Sequence, residues 1–457
     1  MESDYQSPQA YPNRTFSQWN AVMPSRFKSL GAALVCVVLG TVACQRAPDE
    51  TKTVPRNVSF LHYFSFAGSF GSTMESVVAD FNRRHLEHVL TATPLDHEAF
   101  KTSIRDDLRL GNTADVYSYW AGERVQSIAD TFAPIDDVLP ADEMNKLFSA
   151  SVVRSACTYN GRIRLLPLTQ HYVGFFYNKQ IFAENKLSPP KTWDEFITLN
   201  ETLRARGIVP LALGSKARWP AQFWFDYLLL RSAPLDYRQR LMAGKASFND
   251  PEVVRAFGLW NDLIQRGFFN PHPNELDFDT GAALMVRRGE AAMTLMGTWL
   301  IGYFNDPAVV WTEENGYGFF PFPTIDPTIP PVALGPIDGL VVPQAARNSA
   351  GAKALIRFFA EAGVQATISR GTGALAPNLD VEAEKIYSPL KMEVGAEVAR
   401  SSAWAFNYDL ATPPERAEVG LDLFAEFLEF PDQYKYLLDT AESRMATIAG
   451  GSAKTPE

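Results

Sequence analysis

Cysteine is nearly absent from this chain. Only Cys36, Cys44 and Cys157 occur among 457 residues. Cys36 lies inside an apolar N-terminal run and Cys44 closes it, so Cys157 stands alone in the body of the protein. That arrangement excludes an intramolecular disulfide there and a zinc site built on cysteine. Blocks of Lys or Arg are also lacking. With 42 basic against 52 acidic residues, the net charge is −10, and no basic stripe offers nucleic acid an electrostatic footprint. The conspicuous apolar run, residues 30–43, is about fourteen residues long, short of the ~20 that a membrane-spanning helix needs. Catalytic signatures are missing as well: no HExxH, P-loop, GxSxG or CxxC occurs. The six histidines (His62, His85, His88, His97, His171 and His272) show no metal-ligand spacing. The pairs Asp106–Asp107 and Asp136–Asp137 are adjacent and cannot face each other on a helix. A glycosidase needs two carboxyls roughly 5 to 9.5 Å apart across a cleft, and nothing in the sequence points to such a pair. Residues 371–380, GTGALAPNLD, fit G-x-G-x-x-A, but no strand precedes them, which argues against a dinucleotide fingerprint. No cofactor and no metal are expected.

The N-terminus carries an address. Arg26 and Lys28 precede the apolar run, and small residues close it before Cys44. Positive flank, apolar stretch and small-residue cut site are the layout of a signal peptide, assigned to residues 1–43. The sequence T-V-A-C resembles the lipobox of bacterial lipoproteins, which makes Cys44 the expected lipidation site; Thr41 stands where Leu is usual. Residues 1–22 are polar and fit no n-region, so the precursor is expected to start at Met23, which N-terminal mapping checks. Residues 44–56 then form a polar tether.

The body is long enough for two domains, and 46% of the whole chain is hydrophobic. Strands are predicted at 58–64, 90–94 and 114–120, with helices between them. Met74, Val77, Val78 and Phe81 share one helical face behind a cap at Ser72 or Thr73, and Gly111 stops the second helix. This β-α-β-α-β order predicts a parallel sheet covered by helices. Thr192 and Glu195 form a capping box, and Trp193 is expected in the core. Asp250 is read as the cap of another helix, ended by Gly267. Residues 291–296 read as a buried strand. Gly297 is expected to turn the backbone and deliver Trp299 beyond the strand end. In open α/β sheets ligands bind outside the carboxyl ends of strands, so Trp299 is the first candidate for a ligand platform.

Several stretches carry a family resemblance. They are GEAAMTLMGTW at 289–299, PPKTWDEF at 189–196, Ala114-Asp115-Val116, YNGRIRLLPLTQHYVGFFYN at 159–178 and VALGPIDGLVVP at 332–343. Together they resemble the family 1 extracellular solute-binding proteins of ABC importers, the maltose-binding-like group. The resemblance runs from about Val58 to the C-terminus. It implies an α/β, two-lobed periplasmic-binding-protein fold, with central sheets flanked by helices and lobes joined by crossing hinge strands. The first lobe would hold residues 57–171 and 337–375, the second 172–336 and 376–457.

The same resemblance suggests site residues. Tyr63 and Phe64 fall where the family has an aromatic pair after the first strand. Ser118 and Trp120 follow its A-D-V strand, and Gln170 and His171 precede the first crossing. Trp219 and Trp299 match second-lobe tryptophans, and Asp338 matches an acidic contact. Thr372 and Asn378 fall at the third crossing; Trp404 and Tyr408 fit a late wall. Aromatic rings can cover the C–H face of a sugar while polar groups meet its hydroxyl rim. The implied protein is a monomer that captures a sugar or polyol by hinge closure and passes it to ABC permease subunits, touching the membrane only through its lipid anchor. Two alternatives stand beside it: a secreted carbohydrate-active hydrolase, and a sugar-binding protein serving a sensor.

Overall fold

A computed structural model describes residues 55–64, 69–305 and 311–452, with side chains to 448. Cys36, Cys44, the apolar run and the tether through residue 54 lie outside the described residues. The chain begins with β1 (Arg56–His62), α1 (Ser69–Arg84), β2 (His88–Pro94), α2 (His97–Leu110), β3 (Val116–Trp120), α3 (Glu123–Gln126) and β4 (Leu166–Gln170). It continues through β5 (Val173–Asn178), α4 (Trp193–Ala205), β6 (Val209–Ala212), α5 (Gln222–Leu230) and α6 (Pro251–Gln265). Then come β7 (Ala291–Gly297), α7 (Trp299–Phe304), β8 (Tyr317–Phe320) and β9 (Val332–Leu334). The last part holds β10 (Ile337–Val341), α8 (Ser349–Ala360), α9 (Ala362–Thr372), β11 (Ala403–Ala405), α10 (Tyr408–Ala411) and α11 (Pro414–Glu429).

Two larger sheets organise these elements. The first has the order β2-β1-β3-β10-β4 and the second β8-β5-β7-β6. β1 runs parallel to β2 and β3, as the alternating pattern predicts, but β10 lies antiparallel to both β3 and β4. The second sheet is mixed too: β7 is antiparallel to β5 and parallel to β6. Mixed order is what a returning chain imposes, because each passage between lobes enters a sheet from the opposite side. Each sheet sits against its own apolar core, one built on residues such as Phe60, Phe100 and Ile356, the other on Phe176, Trp224 and Phe257. The chain passes from first core to second between Leu168 and Tyr172. It returns at Gly335–Pro336, between β9 and β10. Near the third passage Leu375 sits in the second core while its backbone pairs with Gln170.

Local details differ from expectation in four places. α1 already includes Ser69, so Ser72 and Thr73 lie within the helix, and their hydroxyls donate back to the Ser69 carbonyl. Asp250 sits at the start of α6, but its carboxylate accepts from Ser247 N and the Tyr237 hydroxyl rather than from the helix. Trp193 is half-buried against the second core rather than enclosed by it. Gly297 has no positive φ; its role is described below. The capping box does form. Thr192 Oγ1 accepts from Glu195 N at 3.3 Å, and Glu195 returns a carboxylate oxygen to Thr192 N at 3.2 Å. Thr192→Ala is therefore expected to cost about 1 kcal/mol in urea unfolding at unchanged m; an unaltered midpoint would show the box to be redundant.

Candidate functional site

The carboxyl ends of the first sheet's strands bring one wall together. Tyr63 and Phe64 follow β1 directly, and Trp120 ends β3. β10 sets Asp338 opposite Trp120 on one side and Thr169 on the other. Tyr63 and Trp120 stack at 4.1 Å with ring planes 13° apart. His97, at the start of α2, meets Trp120 edge-on at 4.9 Å and lies 5.9 Å from Trp219 across the gap.

The second sheet supplies the opposite wall through β7. A Cβ added at Gly297 would lie 2.0–2.3 Å from three carbons of the Trp299 ring. The glycine is thus required for space, not for a left-handed turn: the indole lies flat on the bare backbone. Its edges meet His171 at 5.5 Å and Trp219 at 5.9 Å, with Phe223 tilted against it at 6.0 Å. The ring is backed by main chain and clamped at its rim, with Phe278 and Phe223 completing the wall. These walls border a cavity of about 70 Å³ that is partly open to solvent.

Buried polar residues stand among these aromatic rings. Asp338 accepts a 2.7 Å hydrogen bond from Thr169 Oγ1 on Oδ2, whereas Oδ1 meets no donor. Burial lifts its carboxyl to about 6, against the pull of Thr169 and Tyr63. Burial and the Asp338 charge push the Tyr63 hydroxyl well above its ordinary value. His171 bonds through Nδ1 to Thr298 Oγ1 at 3.0 Å, and its Nε2 lies 3.7 Å from Asp338. Burial, reinforced by the Lys391 charge, lowers its imidazole to about 3, so the ring is neutral at physiological pH and this contact is no ion pair. Trp299 Nε1, Arg124 Nε and Asn407 Oδ1 are likewise buried without a partner. All belong to residues that line the cavity. Arg124 and Asp409 form a buried ion pair at 2.9 Å, and Asn407 Nδ2 donates to Asp409 at 2.6 Å.

The cavity collects seven of the residues suggested by sequence: Tyr63, Phe64, Trp120, His171, Trp219, Trp299 and Asp338. Six others are off its wall. Ser118 is fully buried behind it, and its Oγ accepts from Tyr63 N. Gln170 pairs its backbone in both directions with Leu375. Thr372 turns its hydroxyl back onto the Ile368 carbonyl within α9. Asn378 is spent on the Ala360 carbonyl, a Gln365 contact and Asp380 N. Trp404 is half-buried against both cores. Tyr408 is enclosed in the second core, where its hydroxyl donates to the Arg416 carbonyl. Sequence reasoning missed His97, Arg124, Gln222, Asn407 and Asp409, which do line the cavity. Asn407 and Asp409, which line the cavity, flank Tyr408 in the chain.

The profile of the bacterial extracellular solute-binding proteins matches residues 67–366. The chain belongs to this family. Among curated relatives of this solute-binding protein is an uncharacterized ABC transporter extracellular-binding protein of Pyrococcus horikoshii. It is 28% identical, over 81% of this chain and 84% of the relative. Among solved structures, the bacterial solute receptor AcbH superposes with a TM-score of 0.80 at 24% identity, covering 86% of this chain and 100% of that one. Its description gives an exclusive preference for β-D-galactopyranose. A second structure, from work on xylan utilization by Caldanaerobius polysaccharolyticus, gives a TM-score of 0.77 at 21% identity over 85% and 99% of the two chains. The likeness establishes the two-lobed α/β binding-protein fold. Among the described residues, no cluster of His, Cys, Asp or Glu could hold a metal ion, and no helix is long and apolar enough to cross a membrane.

Proposed function

We propose that this solute-binding protein captures a small sugar or polyol in the cavity between its two sheets and hands it to the permease of an ABC importer, without catalysis. The observation that carries the reading is the pairing of Trp299 with Asp338. A flat indole, backed by Gly297 and clamped at its edges, suits the C–H face of a pyranose. Unfilled buried acceptors and donors (Asp338 Oδ1, Asn407 Oδ1, Arg124 Nε, Trp299 Nε1) suit its hydroxyl rim. Leaving them unmet costs free energy that a ligand would recover, so enclosure of the sugar favours the closed lobes. The sugar-related descriptions of AcbH and of the xylan-utilization protein support the same class. The permease partner follows from the family and from the Pyrococcus relative. The extracytoplasmic setting and a lipid anchor at Cys44 belong to this proposal, and mass spectrometry of the mature N-terminus tests the anchor.

Melting of the domain from Gln45 onward against monosaccharides, disaccharides, polyols and sugar phosphates tests the binding. A ligand at about 100 times its Kd should add about 2.7 kcal/mol of stability. Silence across the whole panel would remove the sugar reading and leave the fold standing.

A further inference from the structure

We infer that one end of the cavity is a fixed wall, built across the two lobes by the Arg124–Asp409 pair and Leu410, so that a sugar is recognised by its terminus and only short ligands are held in full. The inference rests on the sugar-binding reading and specifies the shape of ligand that site accepts.

The wall begins with α10. Its first residues are fastened to the second lobe: Tyr408 N donates to Asp226, and Asp409 N donates to the side-chain oxygen of Gln222 on α5. Two residues later the same turn is buried in the other lobe, where Leu410 belongs to the first core at 2% exposure. Gly122, at the start of α3, receives it. A Cβ there would stand 2.3 Å from the Leu410 carbonyl oxygen, and its φ of 106° already disfavours any side chain. Beside this contact Arg124 reaches from α3 to Asp409, with both side chains almost fully buried. Asp409 is held in turn by Asn407. Breaking one partner of such a buried pair would leave an uncompensated charge, and here the pair ties α3 of one lobe to α10 of the other.

Exposure around the cavity is uneven in the matching way. Among the described lining residues only His97, Lys101, Phe278 and Trp299 are half-exposed, and the rest are buried. They mark the mouth. A chain of sugar units can extend past them, but it cannot pass Arg124, Asp409 and Leu410. The terminal ring then meets the side of the cavity lined by Arg124, Asn407 and Asp409, whose guanidinium, amide and carboxylate groups offer both donors and acceptors to a sugar hydroxyl.

The test is a calorimetric titration of linear oligosaccharides of one to five units, each from the glucose, galactose, mannose and xylose series. In the series that binds, affinity should rise to the second unit and then change by less than about threefold through the fifth. In the double variant Arg124→Ala/Asp409→Ala, which removes both charges together, the ratio of five-unit to two-unit affinity should rise at least tenfold. Affinity that keeps climbing tenfold with each unit in the wild-type protein overturns the wall, and this arm decides even if the double variant does not fold. Failure of every series to bind overturns the sugar reading instead.

Discussion

Trp299→Ala is expected to weaken ligand binding by roughly 30- to 1,000-fold, the 2–4 kcal/mol typical of a buried aromatic anchor, while the domain still folds. The indole borders the cavity and is only half-buried. Its flat face rests on Gly297, so truncation opens space toward solvent and not a sealed void in either core. Calorimetry with the best sugar of the melting panel reads the affinity, and the unliganded melting temperature reads the fold. Trp299→Tyr should recover part of the affinity, because a smaller ring can still cover a pyranose face. An unfolded alanine variant would place Trp299 in the structural core, and unchanged affinity would remove it as a platform.

The second large effect concerns stability against pH. Asp338 carries its carboxyl at about 6, against an ordinary 3.8, because it is buried with one oxygen unmet. Below pH 3.8 the group is protonated in both folded and unfolded chains and adds nothing. Between 3.8 and about 6 the folded state holds the proton longer, so stability falls as pH rises. Above 6 the full penalty applies, on the order of 3 kcal/mol for a carboxyl raised from 3.8 to about 6. Asp338→Asn keeps the shape and the Thr169 contact without the charge. The variant should therefore be more stable than wild type by up to about 3 kcal/mol at pH 8, with the gap closing below pH 4. The same change should weaken the ligand, since the carboxylate is the strongest acceptor in the shell. Urea unfolding at pH 4, 6 and 8 checks the first part. A variant less stable at pH 8 would mean that Asp338 is already satisfied without ligand. Stability given up at a binding group is a familiar trade.

How much of this was legible beforehand follows the range of the interactions. Short-range patterns were readable: Met74, Val77 and Phe81 on one helical face, the Thr192–Glu195 box, and the apolar strand that delivers Trp299 all appear as written. Aromatic residues at strand ends were readable because a ring placed there has a cavity beside it. Polar residues were readable only in part: His171 and Asp338 line the cavity, and others do not. Ser118, Thr372 and Asn378 had the right chemistry near the right places, but backbone groups consumed their hydrogen bonds. Arg124 and Asp409 are 285 positions apart, and no local pattern joins them. Gly297 was noticed for the wrong property: conformational freedom was expected, whereas the structure uses its missing side chain.

The place of β10 bears on how the molecule comes into being. That strand lies between β3 and β4, yet it is made only after all of the second sheet's strands, at Ile337–Val341. Until then β3 and β4 present facing edges across an empty slot, each a template for pairing with another chain. The first lobe therefore cannot finish while it emerges, although it comes first in the polypeptide. Its completion waits for the second lobe, and closing so long a loop makes late assembly slow. The nascent chain must be kept apart from its neighbours over that interval, and a chain cut at Gly335 would carry the gap permanently.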